Sequence, residues 1–267
     1  MGNADLKGKA AIVTGSATGI GASVAIALAR RGANVVINYT KSEKEARETG
    51  ELAKTAGVEV RVVQADVSKD ADCRKLAQAA LDAWGRIDIL VNNAGTTKFV
   101  AHNDLDGLNA EDFANIYAIN VVGAFQMIRA CAPAMRTHGE GSVVNVSSIA
   151  GIKGIGSSVA YAASKGALNT MTLSLARALA PAIRVNAVCP GYVATGWFKN
   201  RFGDEAFKRI TDDQAATAPL KRAADADEIA KTVLFFAGPE SRHITGEMLL
   251  SDGGLHLTLA PAGRTNA

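Results

Sequence analysis

The chain is short of everything that marks a disulfide-stapled, metal-binding or nucleic-acid-binding protein. Its 267 residues include only three cysteines, Cys73, Cys131 and Cys189. They are odd in number, far apart and without a CxxC pair, which points to reduced, buried thiols in a cytoplasmic protein. The four histidines (His102, His138, His243 and His256) show no metal-ligand spacing, so no metal site is expected. Net charge is only +3, and Lys and Arg are scattered, which leaves no basic stripe for nucleic acid. The apolar run near the N-terminus is too short for a signal peptide. No run reads as long enough to cross a bilayer, so no membrane association is expected. Asn145-Val146-Ser147 matches a glycosylation sequon but falls inside an apolar strand pattern, and it is discounted. Internal repeats and low-complexity tracts are also lacking.

What remains is an alternation of short apolar runs and helical patterns. With 48% apolar residues the chain can bury a large core without staples, and its length fits one α/β domain over residues 1–267. Strand-like runs fall at residues 10–13, 35–38, 58–64, 87–91, 143–146, 183–188 and 247–250. Between them lie helical patterns at residues 19–31, 43–56, 71–84, 110–135, 159–179 and 226–236, with a shorter helix at about 204–214. Seven strands alternating with helices predict a parallel sheet covered on both faces, a doubly wound α/β architecture built by right-handed crossovers. The last ten residues, TLAPAGRTNA, read as a tail or a contact with another subunit.

Two stretches carry chemistry. The first strand runs into Thr14-Gly15-Ser16-Ala17-Thr18-Gly19-Ile20-Gly21 and then a helix. Glycines there let the backbone approach a pyrophosphate, which the helix N-terminus stabilises. The missing Gly-Lys-Ser/Thr ending argues against a nucleotidase, and a ligand-free helix-starting turn is the alternative reading. The second stretch, residues 147–165, begins with Ser147 and Ser148 at a strand end and passes through a glycine-rich loop. It ends in a helix with Tyr161 and Lys165 four residues apart. That spacing puts both side chains on one helix face, where an ammonium can lower the phenol's pKa of about 10. An exposed helical Tyr/Lys pair is the bland alternative.

From about Leu6 to Leu257 the chain resembles the classical short-chain dehydrogenases/reductases. The resemblance rests on TGSATGIG at residues 14–21, Asp66-Val67, NNAG at residues 92–95, Asn120, Ser148, Tyr161-x-x-x-Lys165, Pro190-Gly191, ITG at residues 244–246 and Asp252-Gly253-Gly254. It implies a single Rossmann-type domain and an enzyme interconverting ketones and secondary alcohols. Asn120, Ser148, Tyr161 and Lys165 are then the catalytic residues. Tyr161 acts as acid/base, Lys165 lowers its pKa and bonds the nicotinamide ribose, Ser148 orients the carbonyl, and Asn120 holds a water.

The same resemblance places the cofactor on Gly15, Ser16, Thr18, Gly19, Ile20 and Gly21 of the turn. Further contacts fall to Tyr39, Thr40 and Lys41, to Asp66 and Val67 at the adenine, and to Asn93, Ala94 and Gly95. Asn92 would bring its strand end to the cofactor. Tyr161 and Lys165 bind it too, as do Pro190, Gly191, Val193 and Thr195 near the carboxamide. Tyr39 stands where NAD-dependent relatives usually carry Asp, so NADP(H) is favoured with Lys41 as the main cation, and NAD(H) stays open.

The substrate is expected to be a small-molecule carbonyl or alcohol, covered by a lid over about residues 192–219 carrying Trp197, Phe198, Phe202 and Phe207. The pattern is similar to carrier-protein ketoreductases and glucose dehydrogenase-like members. Gly139 and Pro181-Ala182, however, replace arginines that would suit an acyl carrier protein. A sugar or polyol dehydrogenase and a non-catalytic NADP-sensing protein are the alternatives. The resemblance further implies a homo-oligomer, either dimer or tetramer.

Overall fold

The computed structural model describes residues 5–258. Seven strands form one sheet: β1 (Ala10–Val13), β2 (Asn34–Tyr39), β3 (Val60–Gln64), β4 (Ile89–Asn92), β5 (Gly141–Val146), β6 (Ile183–Pro190) and β7 (Met248–Ser251). Their spatial order is β3-β2-β1-β4-β5-β6-β7, and every pairing is parallel. After β3 the chain crosses back over β1 to add β4, so the strand order reverses between β1 and β4. In open α/β sheets that switch point leaves a crevice at the carboxyl ends of the strands, and the site lies there.

Alternation along each strand builds two cores. Ala11, Val13, Val35, Ile37, Val91 and Val144 face one layer, formed by α1 (Gly19–Arg30), α2 (Glu43–Lys54) and α9 (Ala226–Ala237). Ile12, Val36, Leu90, Val143 and Val185 face the other, formed by α3 (Asp70–Trp84), α5 (Ala124–His138) and α7 (Val159–Leu179). Period-2 side chains on strands buried on both faces produce this division and account for the continuous apolar runs. Cys73, Cys131 and Cys189 are free and buried.

Three features depart from the expected boundaries. The long helical region is α4 (Ala110–Tyr117), a π-helical turn (Ala118–Gly123) and α5, so the helix widens where it carries Asn120. A short α6 (Ala150–Lys153) sits inside the glycine-rich stretch between β5 and α7, where a loop is expected. The lid is not a loop with a short helix but α8 (Gly196–Thr217), broken at Gly203, whose φ of 79° no other side chain adopts comfortably. The helical stretch Ala110–His138 is also long and apolar enough to cross a membrane, against the expectation that none would be. Its apolar face is spent on the sheet instead, with Met127, Ile128, Cys131 and Met135 in the core. The expected tail or subunit contact beyond Thr258 lies outside the described residues.

Candidate active site

At the switch point the turn after β1 is bound tightly to its neighbours. Gly15 has φ +60°, and a Cβ there would stand 2.9 Å from the Ala94 Cα. A Cβ on Gly21 would come within 2.5 Å of both the Asn93 Nδ2 and the Gly15 carbonyl. Asn93 donates from Nδ2 to the carbonyls of Thr14 and Gly15, while the Thr14 hydroxyl accepts from the amides of Asn93 and Ala94. The buried Asn38 does the same from β2, accepting from the Gly15 amide and donating to the Ala65 carbonyl. Sequence reasoning named Thr14 only as the start of the glycine turn and missed Asn38; the signal was a polar residue closing an apolar strand.

Ser16, expected to touch a cofactor, is fully committed to the fold. Its hydroxyl donates to the Val13 carbonyl and accepts from the Asn38 amide, and its own amide donates to the Asn38 carbonyl. Thr18, by contrast, is exposed at the start of α1 and makes no side-chain cap. The first helical N–H groups at Gly19, Ile20 and Gly21 therefore lack both intrahelical and capping partners. Gly19, at φ +59°, faces Thr195 across a gap that a Cβ would enter at 3.8 Å. Bare amides at a helix N-terminus, lined by glycines where a side chain would intrude, fit a diphosphate.

The ends of β2 and β3 form the flank of this cradle. Tyr39 is buried in the core, whereas Thr40 and Lys41 are exposed. The neighbouring charges pair among themselves, Arg47 with Glu43 at 2.6 Å and Lys44 with Glu48 at 4.0 Å. Lys41 has no ion pair among the described residues. Asp66 folds back on Ser68, accepting from its amide at 3.0 Å and its hydroxyl at 2.7 Å. Val67 is buried against Gly123 of the π turn, where a Cβ would come within 2.9 Å of it.

Beside the cradle, α7 presents Tyr161 and Lys165 on one face, with the Lys165 Nζ 5.7 Å from the Tyr161 ring centroid. Ser158 caps this helix by accepting from the Tyr161 amide, which fixes where the tyrosine enters. Lys165 is 4% exposed, and its ammonium donates to the Val146 carbonyl at 2.8 Å. A Cβ on Gly95 would stand 3.8 Å from that ammonium, so NNAG delivers its glycine to the lysine.

Burial pushes the Tyr161 phenol up to about 12, with a hydrogen bond to Ser148 acting in the opposite direction. It pushes Lys165 down to about 8. The expected lowering of the phenol by Lys165 is thus not what this arrangement shows. Loss of water around the ring raises the phenol, and the ammonium is turned toward the Val146 carbonyl. The Asn120 side chain donates to the Thr96 carbonyl and the Ser164 hydroxyl and accepts from the Thr96 amide, so it clamps the loop after β4 onto α7. Asn92 is buried in the sheet and donates to Asn145 Oδ1 at 2.9 Å; it shapes the strand end from within.

The opposite wall comes from β6. A Cβ on Gly191 would meet the Asp252 Cβ at 2.7 Å, so Pro190-Gly191 turns hard against the Asp252-Gly253-Gly254 segment. The Pro190 carbonyl accepts from the Ile149 amide. Val193 is buried in an isolated bridge to Ala224, and Thr195 opens α8 across from Gly19. Phe99, which sequence reasoning missed, gathers the lid aromatics. Its ring lies 5.1 Å from Phe202 and 6.2 Å from Phe198, and Tyr192 lies tilted against Phe198 at 4.7 Å. Trp197 is exposed, and Phe207 is half-buried on the second half of α8.

A bare helix N-terminus at the switch point of a doubly wound sheet, next to a half-buried tyrosine and a buried lysine, is the arrangement expected of a dinucleotide-dependent oxidoreductase. Residues 15–256 match the family model described as enoyl-(acyl carrier protein) reductase. The chain belongs to the short-chain dehydrogenase/reductase family. It is 42% identical over 247 residues to a Streptomyces violaceoruber protein assigned as ketoacyl reductase 2 of the granaticin polyketide synthase, covering 92% of this chain and 96% of that one. It is 34% identical over 250 residues to the 3-oxoacyl-[acyl-carrier-protein] reductase FabG of Staphylococcus epidermidis, covering 93% and 99%. A Burkholderia xenovorans crystal structure assigned to the short-chain dehydrogenases/reductases superposes with a TM-score of 0.86 at 41% identity, covering 94% and 98%. The protein is therefore an oxidoreductase acting on CH–OH or carbonyl groups, and its family implies a nicotinamide cofactor and a small-molecule substrate.

Proposed function

We propose that this protein is an NADP(H)-dependent reductase interconverting ketones and secondary alcohols, with Tyr161 as general acid/base. The observation that carries this reading is the convergence of Ser148, Tyr161 and Lys165 beside the bare N-terminus of α1. A bound nicotinamide dinucleotide supplies or takes up the hydride. Gly19, Ile20 and Gly21 hold its diphosphate with their amides, Thr195 closes from above, and Asp66 and Val67 flank the adenine. Gly15, Asn93, Ala94 and Gly95 shape the floor, and Pro190, Gly191 and Val193 place the carboxamide. Ser148 donates to the substrate carbonyl oxygen. Tyr161, held protonated by its burial, gives that oxygen its proton and recovers it in oxidation. Lys165 and Asn120 fix the geometry around the tyrosine. The same reading makes the chain one cytoplasmic catalytic domain acting as a homo-oligomer, dimer or tetramer.

The unpaired Lys41 supports NADP(H), because a 2'-phosphate would find a free cation there, with the nearby Glu43 carboxylate already paired to Arg47. Lys41→Ala should weaken NADPH binding roughly tenfold relative to NADH, about 1–2 kcal/mol for a partly solvated phosphate contact. Titration of the two reduced cofactors by fluorescence checks it, and an equal loss for both would remove Lys41 from the site.

The aromatic cluster around Phe99 favours a small or medium, partly apolar ketone over a polyol, and the relatives' ketoacyl names agree with that. Phe198 joins both Tyr192 and Phe99 and so holds the lid's first turn. Phe198→Ala should raise KM for aryl or medium-chain ketones about tenfold, with a smaller change for acetone. A uniform rise for all ketones would make the cluster packing alone.

A further inference from the structure

The face that α7 lays on the sheet is polar where such packing normally calls for apolar side chains. Ser164, Lys165, Asn169 and Thr172 are all buried there, beside Leu168 and Ala176. They recur at the three- and four-residue spacing of one helix face. Lys165 serves the site, and the Ser164 hydroxyl accepts from Asn120. Thr172 does neither. It lies seven residues beyond Lys165, about 10 Å further along the axis and away from the reacting groups.

The Thr172 hydroxyl accepts from Asn145 Nδ2 at 2.9 Å and donates to the Leu168 carbonyl at 2.9 Å. Asn145 is fully buried on β5, and its Oδ1 accepts from Asn92 Nδ2 at 2.9 Å. Asn92 ends β4, and the next residue, Asn93, holds the glycine turn through the carbonyls of Thr14 and Gly15. Buried side-chain hydrogen bonds thus run from α7 across two strands to the edge of the cradle. A valine at position 172 would fill the same space. Apolar burial has no preferred direction, however, whereas a hydrogen bond weakens as soon as its partners slide or tilt.

Nearer the site α7 has another mooring on the same strand end. Ser147 donates from its hydroxyl to the Lys165 carbonyl at 3.3 Å, and the Lys165 ammonium donates to the Val146 carbonyl at 2.8 Å. Two moorings fix a line. Without the one at Thr172, α7 is free to pivot about Lys165, and Tyr161 lies about 6 Å to the other side of that pivot. A shift of about 1 Å at Thr172 then swings Tyr161 by roughly 0.6 Å the opposite way. Misplacing a reacting group by about 1 Å can cost on the order of 10²-fold in rate.

Resting on the reductase reading, we infer that Asn145 and Thr172 are positioning residues for the reaction. Their hydrogen bond sets where α7 stands against the strands that carry the cradle, and so where Tyr161 stands relative to the bound nicotinamide. They act through α7, from the far side of Lys165.

Thr172→Val keeps the volume and removes the hydroxyl, while Thr172→Ser keeps the hydroxyl. Each is assayed in the full chain with NADPH and the best of ethyl 3-oxobutanoate, cyclohexanone and acetophenone, and kcat is expressed per NADPH-binding site counted by fluorescence titration. Counting sites removes any unfolded fraction, so a role in stability alone leaves kcat per site unchanged. Thr172→Val should lower kcat per site about tenfold or more with the Kd for NADPH within about twofold of wild type, and Thr172→Ser should stay within about threefold in kcat. Should Thr172→Val bind no NADPH, Thr172→Ala, which leaves room for a water on Asn145, is read in the same way. A kcat per site within about twofold of wild type in the hydroxyl-free variant, or an equal fall in Thr172→Ser, would overturn the inference and leave the reductase reading intact. Failure of the wild-type protein to oxidise NADPH with any of the three ketones would overturn that reading and the inference together.

Discussion

Tyr161→Phe should lower kcat by 10²–10⁴-fold, the range general acid/base groups supply, with Tm essentially unchanged. The substitution keeps the ring and removes only the hydroxyl, on which Ser148 acts to oppose the effect of burial. Nothing in the core depends on that oxygen, because Tyr161 is half-buried and its backbone is held by Ser158. KM for a ketone should rise little, since Ser148 still binds the carbonyl oxygen. Retention of more than about a tenth of wild-type turnover would place the proton donor elsewhere.

Lys165→Met should separate stability from activity. Turnover should fall by about a hundredfold or more, since the side chain that orders the tyrosine is gone. Stability should respond in the opposite sense, because burial depresses the folded-state pKa of Lys165 to about 8 from 10.5. Below pH 8 both folded and unfolded chains carry the proton, and the cost of burying the charge is present in full. Between about pH 8 and 10.5 the unfolded chain still holds a proton that the folded chain has shed. Stability from this group therefore rises with pH across that window. Relative to Lys165→Met, the cofactor-free wild-type protein should gain about 3 kcal/mol between pH 8 and 10.5, the free-energy equivalent of that shift. Tyr161, raised to about 12, gives the reverse slope above pH 10, but it is common to both proteins and leaves the difference untouched. Urea unfolding at a series of pH values measures it. Parallel stability curves would show that Lys165 is not buried as a costly charge.

The sheet was legible because its strands are buried on both faces and read as uninterrupted apolar runs; observed ends lie within about two residues of expectation. Alternation of strands and helices predicted parallel pairing and right-handed crossovers, but the strand order and its reversal between β1 and β4 came only with the fold. What escaped was set by tertiary contacts. Asn38 looks like a strand's polar end, and its role exists only because β1 and β3 lie on either side of it. The π turn around Asn120 leaves no mark on helical periodicity. Phe99 stands alone in a loop, and only the folded chain brings Phe198 and Phe202 against it. The Tyr161–Lys165 spacing gave the pair's position correctly. It could not give the phenol's pKa direction, which depends on how much water the surrounding loops exclude.

The central claim is hydride transfer to a ketone carbon with a proton delivered from Tyr161. The most direct measurement uses NADPH carrying deuterium on one face of the nicotinamide, incubated with ethyl 3-oxobutanoate and the full chain, followed by mass analysis of the alcohol. The account predicts one alcohol formed per NADPH oxidised, deuterium at the carbinol carbon from one cofactor face only, and loss of the reaction in Tyr161→Phe. NADPH oxidation without deuterium at that carbon, or an undiminished rate in Tyr161→Phe, would contradict it.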